Sequence, residues 1–211
     1  MNKNTLVSRV ATRLNITSDD PLYASIEDFV NEAIHYLDTA SPDGWPWMRT
    51  TVNRTITTGS YTFSQIVGTT STIAKVLSAK VKDGDTWQIL QFRNQDEIDQ
   101  LYPTDDTGLP ETFGVDGSTV GIYPPPDGSY QLRIRVVTSE PDLTTGSDTP
   151  IMPESFHTGI IDAALLFAYQ ALADNARVAL QEQRVIATIQ RMRTYGIQYD
   201  PSPTIRVREW L

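Results

Sequence analysis

Residues 121–136 read GIYPPPDGSYQLRIRV. Pro124, Pro125 and Pro126 carry no backbone N–H, so none of them can sit inside a central strand. They end one extended segment, and Pro126-Asp127-Gly128 supplies turn chemistry into the next. The flanking segments, near 117–123 and 129–137, read as two strands joined at a rigid hairpin corner. The other reading is a polyproline ligand for an SH3 or WW groove, although no basic residue flanks the run.

Outward from this corner the β pattern continues. In RTTVNRTITTGSYTF (49–63), Val52, Arg54 and Ile56 take alternate places in a threonine-rich run, and Gly59-Ser60 turns toward Tyr61 and Phe63. IAKVLSAKVKDGDTWQILQF (73–92) predicts a hairpin around Asp83-Gly84. Asn94 to Tyr102 has room for one or two helical turns. The middle of the chain is expected to be antiparallel, built from neighbouring hairpins.

Both ends change to helical period. Leu6, Val7, Val10 and Leu14 predict a first helix. Asp20-Pro21 offers a cap and a proline for the start of a second, with Ser25-x-x-Asp28 as the alternative start. Its stripe is Ile26, Phe29, Val30, Ala33, Ile34 and Leu37, and it ends before the turn SPDGWPW (41–47). After the polar stretch 139–153, Pro153 opens a long helix that buries Phe156, Ile160, Ile161, Ala164, Leu165, Ala168 and Leu172. A break near Asp174-Asn175 precedes a last helix with Val178, Val185, Ile189 and Met192 inward, and Gly196 is its expected C-cap. The expected fold is α+β: a helical bundle of N- and C-terminal helices, an inserted antiparallel β-hairpin region, and an extended C-terminal arm.

The 211 residues carry a formal charge of −9, unevenly spread. Residues 1–170 hold 11 Lys and Arg against 22 Asp and Glu, whereas 171–211 hold 6 against 4. Net negative charge argues against a protein that grips nucleic acid by its phosphates. An acidic body with an arginine-bearing end suits head-to-tail association of like subunits; chance clustering is the alternative. There is no cysteine, which excludes disulfides, zinc thiolates and a thiol nucleophile. The first fifteen residues lack the apolar core and cleavage site of a signal peptide, and the longest apolar run, 159–173, contains Asp162 and falls short of a membrane span. A soluble chain is expected.

Reactive chemistry is sparse. The two histidines are His35, beside a helical stripe, and His157. Glu154-x-x-His157 has the spacing found in di-iron bundles, but that chemistry needs a second such pair and two further glutamates. Nucleophile-elbow, Walker and dinucleotide motifs are missing from the sequence. Asp83-Gly84-Asp85 and Asp105-Asp106 lack calcium-loop spacing and read as solvated turns. Asn15-Ile-Thr17 and Asn53-Arg-Thr55 match the glycosylation sequon without a secretory context. No catalytic residue, metal or cofactor is expected.

Arg177, Arg184 and Arg191 recur every seven residues, either as a solvated helix face or as a subunit interface meeting a neighbour's carboxylates. In the tail, IQYDPSPTIRVREWL, Ile205 and Val207 alternate with Arg206 and Arg208 as in an added strand, and Trp210 and Leu211 close it. It either folds back on its own subunit or reaches a partner.

Taken in order, several of these signals resemble the head-to-tail adaptor (connector) proteins of tailed bacteriophages. They are Asn31-x-Ala33, Trp45-Pro46-Trp47, LPETFGVDGSTVGIYPPPDGSYQLRIRV (109–136) and IMPESFHTGIIDAALLFAYQ (151–170) leading into an arginine-rich helix. The similarity covers roughly residues 5–195; beyond 196 it stops. It implies one adaptor domain, 1–196, with helices in 4–40 and 153–196 and a β region at 49–137, followed by the arm 197–211. It also implies a non-enzymatic virion protein of the neck, between capsid and tail, assembled in the host cytoplasm and serving genome ejection. Such a protein forms a ring, usually a dodecamer, on the portal. Its helices surround a channel through which genomic DNA passes without specific binding, and its β part and loops meet tail or nozzle proteins, with no membrane involved. On this reading Arg177, Arg184 and Arg191 face a neighbouring subunit. Ile205, Val207, Trp210 and Leu211 bind the portal, and Pro124, Pro125, Pro126 and Asp127 form a stiff loop tip touching an adjoining ring. Two rivals are a β-rich tail module that binds glycans or receptors through Trp45, Trp47 and Trp87, and a hydrolase built on paired carboxylates.

Overall fold

The computed structural model describes residues 1–57, 59–67, 73–104 and 106–199, with the backbone alone at 197–199. They form two compact units. Residues 1–47 and those from 142 onward make a helical unit, and 48–141 make a β unit.

The helical unit contains α1 (Lys3–Leu14), α2 (Tyr23–Thr39), α5 (His157–Ala171) and α6 (Asn175–Tyr199). Asn2 caps α1 by accepting from Thr5 N at 3.0 Å, and Asn15 ends it in the left-handed conformation. Asp20 accepts from Leu22 N at 2.8 Å, but this closes a turn, and α2 starts at Tyr23 rather than at Pro21. The predicted stripes are inward: Leu6, Val7 and Val10 of α1 and Ile26, Val30, Ala33, Ile34 and Leu37 of α2 are buried. α5 is buried around most of its circumference because it packs against α1, α2 and α6. Leu172 is the exception among the residues expected on its buried side; it lies just past the helix and is 54% exposed.

The break near Asp174 is present. Ala173 has φ +55°, and Asp174 Oδ1 accepts from Arg177 N at 3.1 Å to restart the helix. Gly196 does not end α6, which runs on to Tyr199. A C-cap glycine needs positive φ, and Gly196 has none. Its missing side chain instead admits the Pro46 ring, whose carbons lie 3.5 Å from where a Cβ would stand.

Where α5 crosses α6, a Cβ on Gly159 would lie 2.4 Å from Thr188 Cγ2. Gly159→Ala is therefore expected to cost about 1–3 kcal/mol through overpacking, against roughly 1 kcal/mol gained in helix propensity. Adding Thr188→Ser, which deletes the opposing methyl but keeps the hydroxyl, should return the urea midpoint to the wild-type value or above it. A single variant as stable as wild type would show that the helices separate freely.

The β unit departs from the expected architecture. Its seven strands are β1 (Arg49–Ile56), β2 (Ser60–Thr62), β3 (Ile73–Asp83), β4 (Thr86–Phe92), β5 (Thr112–Asp116), β6 (Thr119–Tyr123) and β7 (Tyr130–Thr138). They lie in the order β1-β7-β3-β4-β5-β6-β2, with α3 (Phe63–Val67) and α4 (Gln95–Leu101) between strands. The β4–β5 pair is parallel, with Gln91 opposite Thr112 and Phe92 opposite Phe113, so the sheet is mixed. The expectation of a helical bundle carrying an inserted antiparallel hairpin region is thus overturned: the middle of the chain is a curled, half-barrel sheet around a core of its own.

The curl follows from chain length. β1 and β2 sit at opposite edges of the sheet, yet only residues 57–59 join them. Six strand spacings laid flat would cover about 29 Å, whereas four Cα steps reach at most about 14 Å. The edges must turn toward each other, and contacts between them exist. Thr57 N donates to Tyr61 Oη at 2.6 Å, and Arg54 Nε donates to Ile66 O at 2.8 Å. Inside the curl, Ile56, Ile73, Val81, Leu90, Phe113, Ile122, Leu132 and Ile134 pack in one cluster with Ile66 of α3.

The hairpin at Asp83-Gly84 forms as expected, with Asp83 opposite Thr86. The triple proline does not turn a hairpin. β6 pairs with β5 and β2, while β7 pairs with β1 and β3, so the prolines carry the chain across the sheet. The run is held by the segment before β5: Gly108 N donates to Pro125 O at 2.9 Å and Glu111 N to Tyr123 O at 2.8 Å.

Candidate functional site

Most of the candidate chemistry is tied up structurally. His157 is buried, with one ring nitrogen 2.8 Å from Met152 O and the other 2.7 Å from the Met1 amino group. Burial is the main cause that holds its pKa below the ordinary histidine value. Both nitrogens are occupied, so Glu154 and His157 are not arranged to share a metal. Among the described residues no cluster of three or more His, Cys, Asp or Glu could hold one. His35 lies at the surface, 2.6 Å from Asp142 Oδ1. Asn15 is a helix cap, and Asn53 accepts from Arg133 Nε at 3.0 Å. Asp148 has a pKa lowered to about 2, chiefly because Thr145 Oγ1 donates to it, and its loop accepts Lys3 N and Asn4 N at the start of α1.

Trp45 and Trp47 are engaged in packing within the helical unit, whereas Trp87 belongs to the β unit. Trp45 is buried, donates Nε1 to Leu37 O at 2.9 Å and stacks on Trp47 at 5.2 Å. Trp47 continues into Phe156 at 5.8 Å and Tyr195 at 6.1 Å. In the β unit, Trp87 lies beneath the Arg133 guanidinium, 4.2 Å from the ring centre. Trp87 and Arg133, with Asn53, Thr55 and Gln131, line a shallow cleft of about 240 Å³ that the sequence had not indicated.

The arginines sit on one long edge of α6, all exposed. Arg177 is engaged locally, 3.3 Å from Asp174 and over the Tyr169 ring at 5.4 Å. Arg191 Nη2 donates to Thr188 Oγ1 at 2.9 Å. Arg184 makes no such contact among the described residues. α6 turns Val178, Gln181, Val185, Thr188, Met192 and Tyr195 inward at alternating spacings of three and four. The opposite side presents Ala176, Ala179, Leu180, Gln183, Ile186, Ala187 and Gln190, without a charge. Leu180 is 53% and Ile186 54% exposed. That strip was legible as a second helical period in the sequence, but the arginines beside it drew the reading away.

In the proline corner, Pro124 and Pro125 are half-buried, Pro126 is buried, and Asp127 is exposed, accepting from Tyr130 Oη at 2.6 Å. That hydrogen bond is the first cause raising the Tyr130 pKa. The corner therefore offers Asp127 rather than the proline rings to solvent. The tail residues Ile205, Val207, Trp210 and Leu211, like Asp105, lie outside the described residues.

What the geometry supplies is surfaces: a helical unit with a long exposed helix face, and a sheet bearing a shallow polar cleft. The profile of the SU10 adaptor protein family matches residues 1–208, and the chain belongs to that family. It is a bacteriophage adaptor, a structural component of the virion. No curated protein matches the sequence. No helix among the described residues is long and apolar enough to cross a membrane.

Proposed function

We propose that the protein is the head-to-tail adaptor of a tailed phage. It sits in the neck as a ring of like subunits, twelve on a dodecameric portal, and surrounds the channel through which the genome leaves. The observation that carries this is the family match over residues 1–208, which takes in both compact units and leaves only three residues outside. The charge of −9 supports a conduit that passes DNA without gripping its phosphates. The tail supplies the portal contact through Ile205, Val207, Trp210 and Leu211, with Trp210 as the aromatic anchor. Asp127, at the proline corner, faces the tail or nozzle proteins.

Native mass spectrometry of the purified protein mixed with the portal of the same phage tests this. A stoichiometric complex with one adaptor per portal subunit is expected, and deleting residues 200–211 should leave a folded protein that no longer joins it. Failure of the full chain to bind portal at any ratio would refute the reading. A deletion variant that still binds would refute the role of the tail alone.

A further inference from the structure

Within the helical unit α5 packs against both α2 and α6. Different sides of α5 serve the two contacts: Phe167 meets Tyr36 of α2 edge-on at 5.8 Å, whereas Asp162 O accepts from Gln181 of α6 at 2.9 Å and Gly159 abuts Thr188. α2 and α6 touch near their ends, where Arg193 Nη2 donates to Ala40 O at 3.1 Å. Each thus keeps an outer face, and the two faces have opposite character.

α2 holds Glu27, Asp28, Glu32 and Asp38 with no lysine or arginine of its own. Lys3 pairs with Glu27 at 2.6 Å, and Asp38 is buried. Asp28 and Glu32 are exposed on the side turned away from the buried stripe, one helical turn apart. Beside that acidic pair run Phe29, half-buried, and Tyr36, 43% exposed. α6 holds Arg177, Arg184, Arg191 and Arg193 against one acid, Glu182. Its outer side is the charge-free strip with Leu180 and Ile186, edged by Arg184 and Arg191.

We infer that the outer face of α6 docks on the outer face of α2 in a second copy of this chain. Leu180, Ile186 and Ala187 cover Phe29 and Tyr36, while Arg184 and Arg191 meet Asp28 and Glu32. The apolar strip matches an apolar edge and the basic row an acidic one. This is the arrangement of an interface with a dry centre and a charged rim that fixes register. Because the two faces belong to different helices of one unit, the contact is heterologous, and repetition closes it into a ring where the rotation permits. An isologous α6–α6 pair would instead oppose arginine to arginine. The inference rests on the ring reading and names the surfaces that build it.

The chain has no cysteine, so disulfide trapping is clean. Ile186→Cys and Tyr36→Cys variants, prepared separately, mixed with each other and with portal, and then oxidised, should yield a mixed disulfide dimer. Neither variant alone should do so. Asp28→Lys with Glu32→Lys, and separately Arg184→Glu with Arg191→Glu, should each lower the assembled fraction at least tenfold. All four changes in one chain should restore it, and circular dichroism should match wild type throughout. Cross-linking of Ile186→Cys with itself, or normal assembly of both charge variants, would overturn this contact while leaving the ring standing. A wild-type chain that never forms closed oligomers would overturn the ring and the contact together.

Discussion

Trp45→Ala is expected to destabilise the helical unit by about 3–5 kcal/mol, the range for removing a large buried aromatic. Two separate losses add. The indole is 2% exposed, and its removal leaves Trp47, 5.2 Å away in a parallel stack, facing a void. The indole N–H also donates to Leu37 O at 2.9 Å, a last-turn carbonyl of α2 whose other donor is the cap amide of Ala40 at 3.3 Å. Trp45→Phe separates the two effects. It keeps most of the ring and deletes the donor, so it should cost about 1–2 kcal/mol from the hydrogen bond and part of the packing. Urea unfolding followed by near-ultraviolet circular dichroism reads the stacked pair directly. A loss of less than about 1 kcal/mol for Trp45→Ala would contradict the packing described.

That turn also shows what local sequence conveys and what it does not. SPDGWPW was readable as the stop of α2, because proline and glycine act on their own backbone. That Trp47, with Trp45 stacked on it, packs against Phe156 and Tyr195 depends on residues more than a hundred positions away. The helical stripes of α1, α2 and α5 were legible for the same local reason: one face must be apolar to be buried, and the 3.6-residue period records it. Gly196 misled because glycine marks either a left-handed cap or a close approach, and only the position of Pro46 decides between them.

The sheet was legible strand by strand but not as a topology. β6 and β7 both alternate apolar and polar residues on either side of a proline turn, which is the local pattern of a hairpin. Their true partners, β2 and β5 for one and β1 and β3 for the other, are fixed by which curled arrangement buries Ile56, Ile122 and Ile134 together. The parallel β4–β5 pair was likewise invisible, since two residue pairs of ladder leave no signature in composition. Of the candidate surfaces, the arginine row was found by its seven-residue spacing. The acidic pair on α2 had no such signal: Asp28 entered only as part of an alternative helix start and Glu32 not at all, because two acids one turn apart acquire a common outer face only once α5 covers the opposite side of the helix.

The register of β7 makes the sharpest test of that sheet. Ile134 pairs with Val52 on one side and Ala79 on the other, is fully buried, and lies at the centre of the curled core. Ile134→Ala should cost about 2–5 kcal/mol, the transfer of three carbons plus the cavity they leave. Gln131, three residues earlier on the same strand, points to the outer face and is exposed. Gln131→Ala should stay within about 0.5 kcal/mol of wild type. Amide hydrogen exchange gives the readout that belongs to this unit: protection across β1, β3 and β7 should fall in the first variant and persist in the second. A strand shifted by one position would turn Ile134 outward and bring Gln131 in, because side chains alternate with a period of two. The two substitutions would then exchange their effects. If Ile134→Ala left the β amides fully protected while Gln131→Ala exposed them, the half-barrel and its core would both be wrong.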